Sequence, residues 1–182
     1  MLSFGSEGPV TAVVLCAGGS RRMGEPKGLR PVPAGAPLLR AHVDVFEAAG
    51  MPVVVVLGYE VEAHRAVLPA SVRVVVNAAW ETTAMAESAA LALADLGAVL
   101  LTPVDVPPAR ADTLARLLAT PGDVVPAWRG ADGHPVKLVP PHPPGRLDAR
   151  LRHAARVPVD DPDCVRNLNT PAEWEAWVGA RG

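Results

Sequence analysis

The chain has 182 residues, of which 49% are hydrophobic and 20% charged, the size and balance of one globular domain with a single core rather than a disordered segment. A formal net charge of −2 leaves no electrostatic footprint for nucleic acid, and no apolar run is long enough to span a bilayer. Its two cysteines, Cys16 and Cys164, lie far apart, against a disulfide framework or a zinc site. Residues 1–9 lack the basic and apolar regions of a secretory signal. They are expected to be a flexible N-terminus ahead of one domain over 10–182, and the cytoplasm is the default compartment.

Residues 10–15 form a continuous apolar run, the pattern of a strand buried on both faces. A glycine-rich turn, 18–24, follows it. A helix is predicted over 36–49, with Pro37 in its first turn, Leu39, Val43 and Phe46 as its stripe, and Gly50 as its stop. A second buried strand over 53–57 leads to a short helix over 60–68, stopped by Pro69. A third strand over 72–76 is closed by Asn77. The next helix runs to about Leu96, with Met85, Ser88, Leu91 and Ala92 on one side. A fourth strand, 98–104, ends at Asp105. A helix carrying Leu114, Leu117 and Leu118 follows and is ended by Pro121 and Gly122. Shorter strands are expected over 123–126 and 135–139, then a basic, helical stretch over 146–156. A last strand over 165–168 and a last helix over 170–178 complete the chain.

Strand–helix alternation from the start predicts βαβ units. The fold class is a single-domain, Rossmann-like, three-layer α/β/α arrangement with a mostly parallel sheet. In such sheets ligands bind outside the carboxyl ends of the strands. The glycine turn, Asn77 and Asp105 each follow a strand and are expected to gather on that edge.

The segment Leu15-Cys16-Ala17-Gly18-Gly19-Ser20-Arg21-Arg22-Met23-Gly24-Glu25-Pro26-Lys27 fits neither the dinucleotide fingerprint nor the Walker A loop. It keeps the physics of a phosphate site. Gly18 and Gly19 allow the backbone N–H groups to approach an oxyanion, and Arg21, Arg22 and Lys27 supply positive charge. The lysines of the chain are Lys27 and Lys137, with arginine used elsewhere, so position 27 favours a compact point charge. Asp105, at a strand end, reads either as a ligand for a hard cation or as a helix cap.

The same segment resembles the signature of the MobA-like nucleotidyltransferases, Leu-Ala-Ala-Gly-x-Ser-x-Arg-Met-Gly-x-x-Lys. Leu15, Ala17, Gly18, Ser20, Arg22, Met23, Gly24 and Lys27 carry the match, with Cys16 in place of an alanine. Alanine at position 17 resembles the cytidylyltransferase branch, which acts on molybdopterin. The resemblance implies a Mg²⁺-dependent transfer of a nucleoside monophosphate, CMP from CTP by preference, to a phosphate-bearing acceptor. Arg22, Lys27 and Asp105 are then the catalytic residues. Leu15, Ala17, Gly18, Gly19, Ser20, Arg21, Met23, Gly24 and Asn77 join them around the nucleotide.

By the same likeness Asp105, in its Asp-x-Pro element, and Asn167, in Asn167-Leu168-Asn169-Thr170-Pro171, hold the metal. The plainer reading of that second element is a turn and helix cap at Asn169 or Thr170. Gly133-His134-Pro135-Val136 matches an acceptor-pocket element of the cytidylyltransferase branch, which implies acceptor contacts for His134 and Asn169. Lys137 reads as an acceptor-phosphate partner or as a residue on a solvated strand face. Arg146, Arg150, Arg152 and Arg156 read as an anion-attracting patch or a solvated helix face. Asn77 and Trp80 fit the family's Asn-x-x-Trp element, but Thr83 to Ser88 departs from the sequel, and Glu87 adds negative charge there. That departure leaves a non-catalytic nucleotide-binding module as an alternative, beside guanylyl- and sugar-1-phosphate nucleotidyltransferases.

Overall fold

All six residues of β1, Thr11–Cys16, are buried, because helices cover both faces of the sheet to which it is central. A computed structural model describes residues 8–20, 22–143 and 147–181. The expected flexible N-terminus falls largely outside these residues, as do Arg21 and Arg146. After β1 come a 3₁₀ turn (Lys27–Leu29), α1 (Leu38–Ala48), β2 (Val53–Leu57), α2 (Val61–Arg65), β3 (Arg73–Val76), α3 (Met85–Leu93) and β4 (Val99–Pro103). The second half holds α4 (Ala111–Ala119), β5 (Val124–Trp128), β6 (Ala131–Asp132), β7 (Val136–Leu138), α5 (Leu147–Leu151), β8 (Ala155–Pro158), a second 3₁₀ turn (Pro162–Val165) and α6 (Pro171–Gly179).

The strand order is β3-β2-β1-β4-β7-β5-β6, with β8 on β5. Parallel pairing joins β1 to β2 and β4, β2 to β3, and β5 to β8. β7 runs antiparallel between β4 and β5, so β5 keeps the direction of β4. Alternate residues of β1 feed two cores. Ala12, Val14 and Cys16 pack with Leu39, Phe46, Leu114, Leu117 and Trp174, while Val13 and Leu15 pack with Ala89, Ala92 and Leu138. Each fully buried valine or leucine contributes about 1.5–3 kcal/mol. This is the expected three-layer α/β/α fold with a mostly parallel sheet. Among the described residues no helix is long and apolar enough to cross a membrane.

Several expectations are corrected. Residues 165–168 form no strand: Pro162 opens the second 3₁₀ turn, capped by Asp161, which accepts from Asp163 N at 3.2 Å. Leu168 N then bonds Asp105 O at 2.7 Å instead of joining a ladder. The basic stretch is not one helix. α5 ends at Leu151, and Ala155–Pro158 is the edge strand β8, with Arg156 paired to Asp132 at 2.8 Å. The buried face of α3 consists of Ser88, Ala89, Ala92 and Leu93, which leaves Met85 and Leu91 exposed. Lys137 stands on neither a solvated face nor an acceptor site. Its strand is covered on both sides, and the side chain donates to Thr120 O at 2.9 Å, beyond the C-terminus of α4, where a cation complements the helix dipole.

Candidate active site

Three segments distant in sequence meet at the carboxyl ends of β1 and β4. The loop after β1 turns at Ser20, whose φ of +49° is left-handed. Two bonds hold this otherwise costly conformation: Ser20 O accepts from Met23 N at 2.9 Å, and Ser20 Oγ accepts from Lys27 N at 3.1 Å. Met23 is buried in the core and anchors the loop from below. Lys27, only 9% exposed, sends Nζ to Asp105 Oδ2 at 3.1 Å and to Asn169 Oδ1 at 2.6 Å. The cluster that the glycine loop and Asp105 were expected to form is therefore present.

The backbone around Asp105 is fastened without its side chain. Val104 N bonds Leu15 O at 2.9 Å, and Leu168 N bonds Asp105 O. From below, the buried His42 of α1 places Nε2 3.3 Å from Val104 O. Asn169 is held by Glu173, which accepts from the N–H groups of Asn169 and Thr170. These bonds keep the Glu173 carboxyl below its usual range, first of all the Asn169 N–H.

Burial pushes the Cys16 thiol up to about 12, with the Asp105 charge adding and Lys27 opposing. It stays protonated and is no nucleophile. Burial likewise pushes the His42 imidazole down to about 4, against the opposing bonds to Val104 and Val106. Between that value and the unfolded pKa of about 6.5, the unfolded chain binds a proton that the folded chain refuses. Stability is therefore expected to fall as pH drops through this window, by roughly 3 kcal/mol from this residue alone. Urea unfolding of the parent and of His42→Gln at pH 7 and pH 4.5 checks it. The variant should be the less acid-sensitive of the two, and equal sensitivity contradicts the assignment.

Ser20, Arg22, Lys27, Asp105 and Asn169 line one cleft. It continues past Gly18 and Leu15 into a recess of about 240 Å³ walled by Leu15, Ala17, Trp80, Thr83, Met85 and Ser88. Gly18 is exposed on this path. Trp80 is seated by a close approach at Gly58, where a Cβ would lie 2.5 Å from the Trp80 Cβ and 2.6 Å from Ala17 O. Thr83 and Met85 were not expected here. The helical pattern grouped Met85 with Ser88, Leu91 and Ala92 on one side of α3; in the structure it stands exposed on the wall of the recess.

Other expected site residues lie elsewhere. Asn167 is exposed and lines a separate recess with Arg166 and Glu173; Asn169, two residues on, occupies the cleft. Asn77 does not face the cleft but is buried, bonded to Thr83, Ser88 and Ala79. His134 does not line the cleft either. Its N–H bonds Cys164 O at 2.8 Å. Burial holds its imidazole below the usual range, against a bond to Leu101 and the field of Asp105. Glu87 does bring its carboxylate into the Thr83–Ser88 segment, where it accepts from Ala84 N at 2.6 Å and caps α3. Arg150 is tied to Asp123 and to the carbonyls of Val139 and Pro141, so it is not part of a free anion-attracting patch.

A polar, cation-lined cleft at the carboxyl edge of a mainly parallel sheet, opening into an apolar recess, defines a nucleotide-handling α/β protein. A model of the MobA-like NTP transferase domain matches residues 12–159, and the chain belongs to that family: it is a nucleotidyltransferase. No curated protein matches it in sequence. Among solved structures it is similar to Rv0371c from Mycobacterium tuberculosis H37Rv, at 25% identity and a TM-score of 0.79, covering 95% of this chain and 99% of that one. The same mycobacterial protein has also been solved as a complex with manganese, with a TM-score of 0.73. A nucleotidyl transferase from Methanothermobacter shares the fold at 22% identity and a TM-score of 0.76, covering 94% of this chain and 97% of that one. So does a molybdopterin-guanine dinucleotide biosynthesis protein A from Archaeoglobus fulgidus, at 16% identity and a TM-score of 0.67, covering 94% and 98%.

Proposed function

We propose that the chain transfers CMP from CTP to a phosphate-bearing acceptor such as molybdopterin, with Mg²⁺ as its metal and pyrophosphate as the leaving group. The observation that carries this reading is the meeting of Lys27, Asp105 and Asn169 under the glycine loop, beside a recess whose walls are mainly apolar. The donor set fits a metal that arrives with its substrate. Asp105 Oδ2 is engaged by Lys27, and Oδ1 has no hydrogen-bond partner among the described residues. No group of three or more His, Cys, Asp or Glu side chains is placed to hold a metal among those residues, whereas Mg²⁺ is commonly held by one or two carboxylates plus phosphate oxygens. Asp105 and the Asn169 oxygen would hold it, and once bound it would neutralise phosphate charge.

Arg22 and Lys27 grip the triphosphate, with Arg21 assisting, and the Gly18, Gly19 and Ser20 backbone offers donors to it. Gly24 lets the loop turn back and Met23 anchors it. Leu15 and Ala17 form the floor for the nucleoside, and His134 belongs to the acceptor side. A phosphate monoester, with its second pKa near ~6, is largely ionised at neutral pH, so no strong general base is needed. An acceptor oxygen forms a bond to the α-phosphorus while the bond to pyrophosphate breaks. The protein's part is positioning and charge neutralisation. The cytoplasm is the proposed compartment.

A thermal-shift screen of CTP, GTP, ATP and UTP with and without Mg²⁺ tests this reading, since a ligand of the native state raises the melting temperature by mass action. CTP with Mg²⁺ is expected to give the largest shift. A larger shift with GTP moves the assignment to guanylyl transfer, and no shift with any triphosphate at millimolar concentration overturns it.

A further inference from the structure

Asn77 makes more side-chain bonds than its position at the end of β3 requires. Ala79 N, which can only donate, lies 3.0 Å from one side-chain atom of Asn77, so that atom is the oxygen Oδ1. The other is therefore the amide nitrogen, which donates to Thr83 Oγ1 at 2.7 Å and to Ser88 Oγ at 2.9 Å. Thr83 passes its own proton on to Ala79 O at 3.0 Å. Ser88 accepts from Asn77, is buried at 5% exposure, and has no acceptor for its own proton among the described residues. It lines the recess beside Leu15, Ala17 and Trp80.

We infer that Asn77 is a positioning residue that sets the hydrogen-bond polarity of the nucleoside recess, turning the Ser88 hydroxyl into a donor for an acceptor atom on the nucleobase. This rests on the proposed nucleotide site but names a role that site does not require, since Asn77 touches no substrate. It also accounts for the retention of a buried amide where an apolar residue would pack: three otherwise independent pieces, the end of β3, the Thr83 turn and α3, are fixed to one another through it.

Asn77→Asp is the decisive variant because it keeps the shape and reverses the polarity. A carboxylate there meets three donors, Ala79 N–H and the two hydroxyls, which hold it ionised. Ser88 must then point its proton at residue 77 and offers the recess only an acceptor. Titration calorimetry of wild type, Asn77→Asp and Ser88→Ala is run with CTP, GTP and inorganic tripolyphosphate, each with Mg²⁺. Loss of one net hydrogen bond predicts that Asn77→Asp binds the preferred nucleotide roughly tenfold more weakly, with tripolyphosphate binding unchanged. Ser88→Ala should show the same selective loss, and the double variant should be no worse than either single one. Equal losses for nucleotide and tripolyphosphate, or no loss for either, overturn the inference. If Asn77→Asp does not fold, a Ser88→Ala variant that binds nucleotide like wild type overturns it. Wild-type protein that binds neither CTP, GTP nor tripolyphosphate overturns the proposed function instead.

Discussion

Asp105→Asn is expected to lower metal-dependent turnover by at least roughly a thousandfold, equivalent to about 4 kcal/mol on the barrier. The substitution removes one charge and almost no volume. Asn can still accept from Lys27 Nζ, which lies 3.1 Å from Oδ2 in the parent. The main-chain bonds that shape the turn, Val104 N to Leu15 O and Leu168 N to Asp105 O, do not involve the side chain. The variant should therefore fold and melt close to the parent. What it loses is the carboxylate in the cleft, and with it the anionic oxygen that a divalent ion prefers. Pyrophosphate release at increasing Mg²⁺, together with Mn²⁺ binding followed by electron paramagnetic resonance, checks this. Turnover within tenfold of the parent and an unchanged metal dependence would remove Asp105 from the metal site.

The parts of this molecule legible in its sequence are those whose physics is local. Residues 53–57 read as a strand because a run of four valines and a leucine has no polar face to show to water, and all five are buried. The turn after β1 was legible because glycines directly after a buried apolar run mark a bend. The Asp105–Lys27 meeting followed from the rule that places ligands at the carboxyl ends of parallel strands. What stayed hidden depends on partners far along the chain. β8 has no alternation of its own and exists through its ladder to β5 and the Arg156–Asp132 pair. Lys137 looked solvated because nothing in its neighbours announces that β7 inserts between β4 and β5. Which asparagine reaches the cleft, 167 or 169, is decided by the chain path after Leu168, whose N–H is caught by Asp105 O. Asn77 was expected to face the cleft, but a motif names a residue type without telling which way an amide turns.

Lys27→Met is expected to have effects of opposite sign on the two ligands of the cleft. Tripolyphosphate and CTP should bind about a hundredfold more weakly, because the lost charge-assisted contacts to phosphate are each among the stronger hydrogen bonds. Mn²⁺ alone should bind more tightly. The Lys27 ammonium is bonded to both residues proposed for the metal, at Asp105 Oδ2 and Asn169 Oδ1, and a divalent ion must displace it or share their field with it. Methionine fills the same space without the charge, and the loop keeps its backbone bond from residue 27 to Ser20 Oγ. Calorimetry with each probe on the parent and the variant makes the comparison. A variant that had merely lost its fold would bind neither, so the crossed pattern is what separates a phosphate-binding lysine from a structural one. Weaker binding of both probes, or of neither, breaks the assignment. The crossed result would mean that Lys27 competes with the metal for Asp105 and Asn169 while serving the triphosphate as a counter-charge.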